Sequence, residues 1–482
     1  MTTGSGAGGG PLAGLLVADF SRILAGPYAT MLLADLGAEV VKVEGPGGDD
    51  TRTWQPPVRE GVSTYYLGVN RNKRSVALDL KDPDDAALAQ ELARRADIVV
   101  ENFKPGGLAR FGLDYDAVAR TNPGVIYASM LLADLGAEVV KVESPSGDDT
   151  RTWMPPVRDG VSTYYLGINR NKRSIALDLR AEQDAALARE LASRADILLE
   201  NFRTGGLDRF GLDYDSVAAT NPGVIYASIT GFGTGGGASL PGYDLIVQAI
   251  AGLMSLTGPA GGQPYRAGIS VFDVMSGMHA LIGVLAALHA RQSTGRGQHV
   301  EVNLMSSALS GLVNHSSAVV AAGVTPTRMG NSHPSLFPYD ALPTADGEMI
   351  ITAGNDRQFR RLCEVLGIPE LADDPRFERN ADRTANREEL RPLLVARLAT
   401  RTKDEWFRDI IAAGIPCGPI NTVNAGVAFA EELGLDPVVR PGGIPSIRNP
   451  ITFSETPARY VLPPPGLDEH GAEIRAWLEE KA

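Results

Sequence analysis

The sequence predicts an α/β protein built on a parallel, doubly wound sheet, and three observations carry that expectation. Short runs rich in β-branched residues, mostly continuous and apolar, recur at residues 15–20, 39–43, 75–78, 97–100 and 124–127. Helical spacing lies between them, as in residues 84–96, where Leu88 and Leu92 stand one turn apart. Strands buried on both faces and alternating with helices belong to sheets that helices cover on each side. Residues 31–129 are moreover written a second time as residues 130–228, with about four residues in five unchanged. One βαβ segment is thus present twice.

The register of the repeat is read from Tyr28-Ala29-Thr30, Tyr127-Ala128-Ser129 and Tyr226-Ala227-Ser228, which bracket the copies at equal spacings of 99 residues. A solenoid needs at least three shorter units, each one supersecondary piece. Recombination at the Tyr-Ala-Thr/Ser word is the simpler origin. The second copy starts directly after a strand and has no counterpart of residues 15–20, so a single sheet offers one place to two sets of strands. The expectation is that either copy completes the sheet while the other protrudes as an insertion.

The elements follow in order. Residues 1–10 are a Gly/Ser/Thr-rich tail without the basic and apolar regions of a signal peptide. The strand at residues 15–20 ends at Ser21-Arg22, and Gly26-Pro27 opens a helix that Gly37 closes. After the repeat, residues 243–256 read as a helix, 265–272 as a strand and 275–290 as a strongly apolar helix. Gly295-Arg296-Gly297 then turns into an alternating strand at residues 299–304. Pro and Gly gather at residues 333–343, followed by helices near residues 356–366 and 387–398. The expected division is a large domain at residues 1–330, a smaller α+β domain at 335–445 and a return to the large domain at 446–482.

A net charge of −13 argues against a nucleic-acid partner, since polyanion binding rests on clustered Lys and Arg. No run approaches the ~18 apolar residues of a membrane span. Two distant cysteines, Cys363 and Cys417, fit a reducing cytoplasm, and the six histidines show no metal-binding spacing.

Four features invite chemistry. Residues 231–236 match the dinucleotide fingerprint in letters, but no helix begins inside the glycines, so a plain loop is the better reading. Arg71-Asn72-Lys73-Arg74, repeated as Arg170-Asn171-Lys172-Arg173, is either an anion site or a solvated charged loop. Asp273 falls between the expected strand and the apolar helix, where it is either an N-cap or a nucleophile whose acyl adduct the same free amides would stabilise. Asp244 carries the same ambiguity at the start of its own helix.

At these residues the chain resembles the class III CoA-transferase family, the group that includes formyl-CoA transferase, carnitine CoA-transferase and α-methylacyl-CoA racemases. The shared words are Asp19-Phe20-Ser21-Arg22, Ala25-Gly26-Pro27, Leu36-Gly37-Ala38-Glu39-Val40-Val41-Lys42-Val43-Glu44, Asn72-Lys73-Arg74-Ser75, Glu101-Asn102-Phe103, Pro241-Gly242-Tyr243-Asp244, Thr294-Gly295-Arg296-Gly297-Gln298 and Gly414-Ile415-Pro416-Cys417-Gly418-Pro419. The resemblance implies a Rossmann-like large domain, a small domain and an interlocked homodimer. It implies an enzyme that moves CoA between an acyl-CoA thioester and a small carboxylic acid, with CoA as co-substrate and no tightly bound cofactor or metal.

By the same resemblance Asp273 is the nucleophile that forms a mixed anhydride and then an aspartyl-CoA thioester, and Asp244 assists it. Arg22, Ile23, Leu24, Leu78, Lys81 and Arg110 fall where the family contacts CoA, with Leu177, Arg180 and Arg209 as second-copy counterparts. Tyr243 stands where the racemases place a histidine base, which favours transferase over racemase, because a phenol is a poor base at neutral pH. Leu24 replaces a glutamine of formyl-CoA transferase, and the glycine run covering that enzyme's site has no counterpart before the small domain. Formate and oxalate are therefore disfavoured as partners, and an extra copy that blocks the site would leave a CoA-binding protein without turnover.

Overall fold

The computed structural model describes residues 10–103, 108, 111, 113 and 132–479. The chain opens with β1 (Leu16–Asp19), α1 (Ala25–Asp35), β2 (Glu39–Glu44), α2 (Thr64–Val69), β3 (Lys73–Ala77), α3 (Pro83–Arg95) and β4 (Ile98–Val100). The second copy supplies β5 (Val139–Glu143), α4 (Thr163–Ile168), β6 (Lys172–Ala176), α5 (Glu182–Arg194) and β7 (Ile197–Glu200), followed by α6 (Tyr214–Thr220) and β8 (Ile225–Thr230). Beyond the repeat lie α7 (Asp244–Ile250), α8 (Leu253–Leu256), α9 (Val271–Thr294), β9 (Gln298–Asn303), α10 (Leu304–Gly311) and α11 (Asn314–Ala322). Capping chemistry sets several ends: the Asp82 carboxylate accepts the first free amides of α3, which Pro83 opens, and Gly295 ends α9 at φ +68°.

These strands do not form one sheet. β3-β2-β1-β4 make a four-stranded parallel sheet, β7-β8-β9 a three-stranded one, and β6-β5 stand apart as a pair. A doubly wound sheet has the order 3-2-1-4-5-6. Here the first half runs as far as strand four, the second half resumes at strand four, and β4 and its repeat counterpart β7 fill that place twice. The expectation that one copy completes the sheet while the other protrudes is corrected, because each copy completes one half. The β5–β6 pair is the remainder, since the second copy brings no strand to take the place of β1.

The helix α9 joins the halves. Its Ala286 packs with Leu12, Val17, Val40 and Ile98 of the first half, while Val284 and Ala287 pack with Ile225 and Ala227 of the second. By length and composition α9 could cross a membrane, which corrects the reading that no run comes close. Its apolarity has another use here, because a helix wedged between two sheets is buried on more than one side.

The two copies form a natural comparison: nearly the same residues, with and without β1. In the first, Lys42 is buried between Asp49 (3.0 Å) and the Ser21 carbonyl (2.8 Å). Lys73 reaches Asp19 of β1 at 3.1 Å, and Asp19 also accepts from Thr30 at 2.7 Å. In the second, Val142 is 44% exposed where Val43 is 7% exposed, and among the described residues Lys172 donates to the Ile168 carbonyl and the Asn169 side chain. The anion-site reading of the basic cluster gives way, because its arginines are ion-paired within the chain, while the charged-loop reading fits the first copy, where Arg71 and Arg74 are exposed. Arg71 and Arg170 pair with Asp35 and Asp134, and Arg74 and Arg173 pair with Glu39 and Glu138.

Further on, β10 (Tyr339–Pro343), β11 (Glu348–Thr352) and β12 (Cys417–Pro419) form an antiparallel sheet. Helices α12 (Asp356–Leu366), α13 (Asn380–Ala385), α14 (Arg387–Leu398) and α15 (Lys403–Ala412) surround it, and Phe337, Phe359, Leu394 and Trp406 belong to its separate core. After α16 (Val423–Glu432) the chain returns to the second copy, where α17 (Gly471–Glu479) buries Ile474 and Leu478 against Ile175, Leu177 and Ala188.

Two local expectations are corrected. Residues 265–270 form no strand, and the helix begins at Val271, ahead of Asp273. The helix expected over residues 243–256 is broken by Gly252 at φ +96° into α7 and α8. The strand expected at residues 124–127 lies outside the described residues.

Two predictions follow from the comparison of the copies. Lys73→Met strands the buried Asp19 carboxylate and should cost about 3 kcal/mol in urea unfolding, whereas Lys172→Met, at the same place in the repeat, should be close to neutral. Excising residues 130–228 joins Ser129 to Ile229 and should let a single strand four pair with β1 on one side and with the strand leading into Ile229 on the other, raising Tm by roughly 5 °C in calorimetry. An unchanged or lower Tm would show that the divided sheet is no weaker than the continuous one.

Candidate active site

The first turn of α9 carries the candidate nucleophile. Asp273 is its third residue, and its carboxylate has no hydrogen-bond partner among the described residues. It is not the cap. That task falls to the buried Asp244 at the start of α7, whose Oδ2 accepts the N–H groups of Phe272 (2.7 Å) and Asp273 (3.1 Å). Gln248, one turn along, donates to Asp244 and to the Ile269 carbonyl (3.2 Å), and it accepts the Ala267 amide at 2.8 Å. The same side chain thus fixes both Asp244 and the loop leading into α9.

This arrangement corrects one expectation. The Phe272 and Asp273 amides, free in any uncapped helix, are already committed to Asp244 and do not form an oxyanion hole. Asp273 is left with a charge that nothing neutralises. Crowding by protein atoms, and then the neighbouring Asp244 charge, push its pKa up to about 6, although the residue itself stays open to solvent. The carboxylate is ionised at neutral pH.

Asp273 lines a cleft of about 640 Å³ together with Thr230, Gly231, Phe232, Asn201 and Arg203. The glycine loop after β8 is one wall, and its shape has a steric reason. A Cβ on Gly231 would lie 2.3 Å from the Gly242 Cα, so the loop and the Pro241-Gly242 turn meet backbone to backbone. Sequence reasoning treated this loop as plain and missed Asn201 and Arg203. The glycine spacing was a usable signal once detached from the dinucleotide pattern.

The residues expected at CoA are dispersed. Arg22 pairs with Asp50 at 2.8 Å, and its backbone is held at both ends by the Asn102 side chain (2.8 and 2.7 Å). Ile23 is held at φ +72°, a strained conformation for a β-branched residue, with Leu24 next to it at the start of α1. The side chains of Leu78 and Leu177 are engaged in packing the two cores, so neither offers a side-chain contact to a ligand. Lys81 is exposed, Arg180 pairs with Asp178 at 2.8 Å, and Arg209 lies over the Phe210 ring at 4.6 Å. Arg110 lies outside the described residues. Asp273 and Asp244 come together, whereas none of the described residues expected at CoA lines the Asp273 cleft, which holds second-copy residues 201–204 instead. The first half nevertheless touches α9, where the Tyr28 hydroxyl meets His279 (3.1 Å) and Ser310 (2.8 Å).

Known proteins share this sequence and architecture. The sequence pattern of "CoA-transferase family III" matches residues 12–131 and again 127–471. A succinate–glutarate CoA-transferase of Agrobacterium fabrum is 42% identical over 377 residues, covering 73% of this chain and 92% of that protein. An acetyl-CoA:oxalate CoA-transferase of Acetobacter aceti is 40% identical, covering 72% and 90%. A crystal structure of a CAIB/BAIF family protein from Brucella suis superposes with a TM-score of 0.61 at 35% identity, covering 98% of this chain and all of that one. The chain belongs to CoA-transferase family III.

Proposed function

We propose that the protein is an acyl-CoA:carboxylate CoA-transferase with Asp273 as its nucleophile. The observation that carries this reading is an exposed carboxylate, without a hydrogen-bond partner among the described residues and opening on a cleft, whose nearest backbone amides serve another residue. An Asp273 oxygen attacks the thioester carbonyl carbon, the C–S bond breaks, and CoA leaves as a thiolate from a mixed anhydride. The thiolate then attacks the aspartyl carbonyl and releases the donor as a free carboxylate. The acceptor carboxylate attacks this aspartyl-CoA thioester, and the returning thiolate takes the new acyl group and restores Asp273. Splitting one transfer in this way is covalent catalysis.

Asp244 assists by holding the helix end and by raising the basicity of Asp273 through its charge. Arg22, Ile23, Leu24 and Lys81, with Arg180 and Arg209 of the second copy, are our proposed contacts for CoA. We also infer a large domain at residues 1–330, a small one at 335–445, a C-terminal return, a homodimer and a cytoplasmic setting. Relatives named for succinate, glutarate and oxalate make these acids the first acceptors to test. Oxalate thereby returns to the screen.

A second reading has its own observation. Residues 22–24, ahead of the repeat, and the Asp273 cleft stand on different half-sheets, so the duplication could leave CoA bound away from the nucleophile. Excising residues 130–228 decides this: an excised chain that transfers CoA beside an inert full-length chain would support it.

Three measurements test the main reading. With succinyl-CoA and glutarate, hydroxylamine added during turnover should convert Asp273 to a hydroxamate visible by mass spectrometry. Asp273→Ala should lower kcat at least about a thousandfold, and full activity in that variant would remove the mechanism. The value of kcat/KM should fall as pH drops through about 6, where Asp273 takes up its proton. Asp244→Asn removes the like charge and should move that acid limb to lower pH.

A further inference from the structure

The C-terminal segment is held in a receptor that the chain contains twice. On the second copy, Asn171 gives its backbone N–H to the Leu462 carbonyl (2.9 Å) and its side chain to the Val461 and Leu462 amides and the Arg459 carbonyl. Along the outer edge of β6, the Ala176 amide meets Asp468 at 2.8 Å, the Ser174 carbonyl accepts the His470 amide at 3.1 Å, and Arg173 pairs with Glu473 at 2.7 Å. Arg194 donates to the Leu478 carbonyl at 2.9 Å.

Each of these receptor residues recurs in the first copy as Asn72, Ala77, Ser75, Arg74 and Arg95, and there no described residue takes the place of the C-terminal segment. Asn72 keeps the backbone of its twin, with φ +60° in both, and the same bond to its own aspartate, Asp35 in one copy and Asp134 in the other. The outer edge of β3 has no strand or segment on it among the described residues. Arg74 is 76% exposed where Arg173 is 16% exposed, and Leu88 is 60% exposed where its twin Leu187 packs beside α17. An unpaired edge beside an exposed leucine is a template for a segment already shaped to fit it.

We propose that the first copy is a second, vacant receptor for residues 459–479, and that another copy of this chain supplies the occupant. A segment donated by another chain leaves its own place, so the exchange conserves contacts and the assembly is weak and concentration-dependent. A free segment brings its contacts without that loss and is the cleaner probe.

A fluorescent peptide of residues 458–479 should bind the full-length chain with a stoichiometry of one, by anisotropy. Arg74→Glu with Leu88→Glu, both on exposed positions, should weaken it at least tenfold, while the twin changes Arg173→Glu with Leu187→Glu should not. No binding to the unaltered chain, or loss only in the second-copy variant, overturns the proposal. Mixing a Ser75→Cys chain with an Asp468→Cys chain should yield a disulfide-linked pair that neither forms alone, and its absence removes the second copy as the source.

Discussion

The organisation of this molecule depends on a strand that occurs once, β1, in a chain that repeats nearly everything around it. β1 gives β2 a neighbour and brings Asp19 under Lys73. It also fixes the loop at Ser21 through Lys42 and Asp49. Buried ion pairs of this kind add little net stability but are costly to leave half-made. The copy that has β1 closes a buried polar network, and the copy without it leaves Lys141 and Asp148 partly open to water. The difference between the two environments traces to four residues that neither copy contains.

From this follows the central position of α9. Because strand four is present twice, the two half-sheets need a common surface, and α9 supplies it with small residues such as Ala286 and Ala287 facing different cores. The same helix presents Asp273 at its first turn. Asp244 therefore does two things at once: it satisfies the helix end that faces the cleft, and it places a like charge beside the Asp273 carboxylate.

Much of this was legible in residues alone. The strands and helices flanking the repeat, the register of the two copies and the family likeness are local or linear properties, which sequence carries directly. What stayed hidden was tertiary. Copies four-fifths identical cannot announce which will meet β1, and the cap on α9 joins Asp244 to amides far along the chain. Residues 265–272 alternate enough to imitate a strand, but the Gln248 contacts hold that stretch as a loop. Which acids pair with the arginines of the basic cluster stayed hidden because those acids lie on other elements.

Consider Trp54 and Trp153, twins in sequence. Each lies edge-on to a tyrosine, Tyr65 or Tyr164, but the first also meets the His333 ring while the second is half exposed. A substitution at one therefore meets a packed neighbour and at the other meets mostly water. Mutational drift will be filtered unequally in the two copies, each free to erode the surface that only its sibling uses. Given enough generations, what began as redundancy would become division of labour.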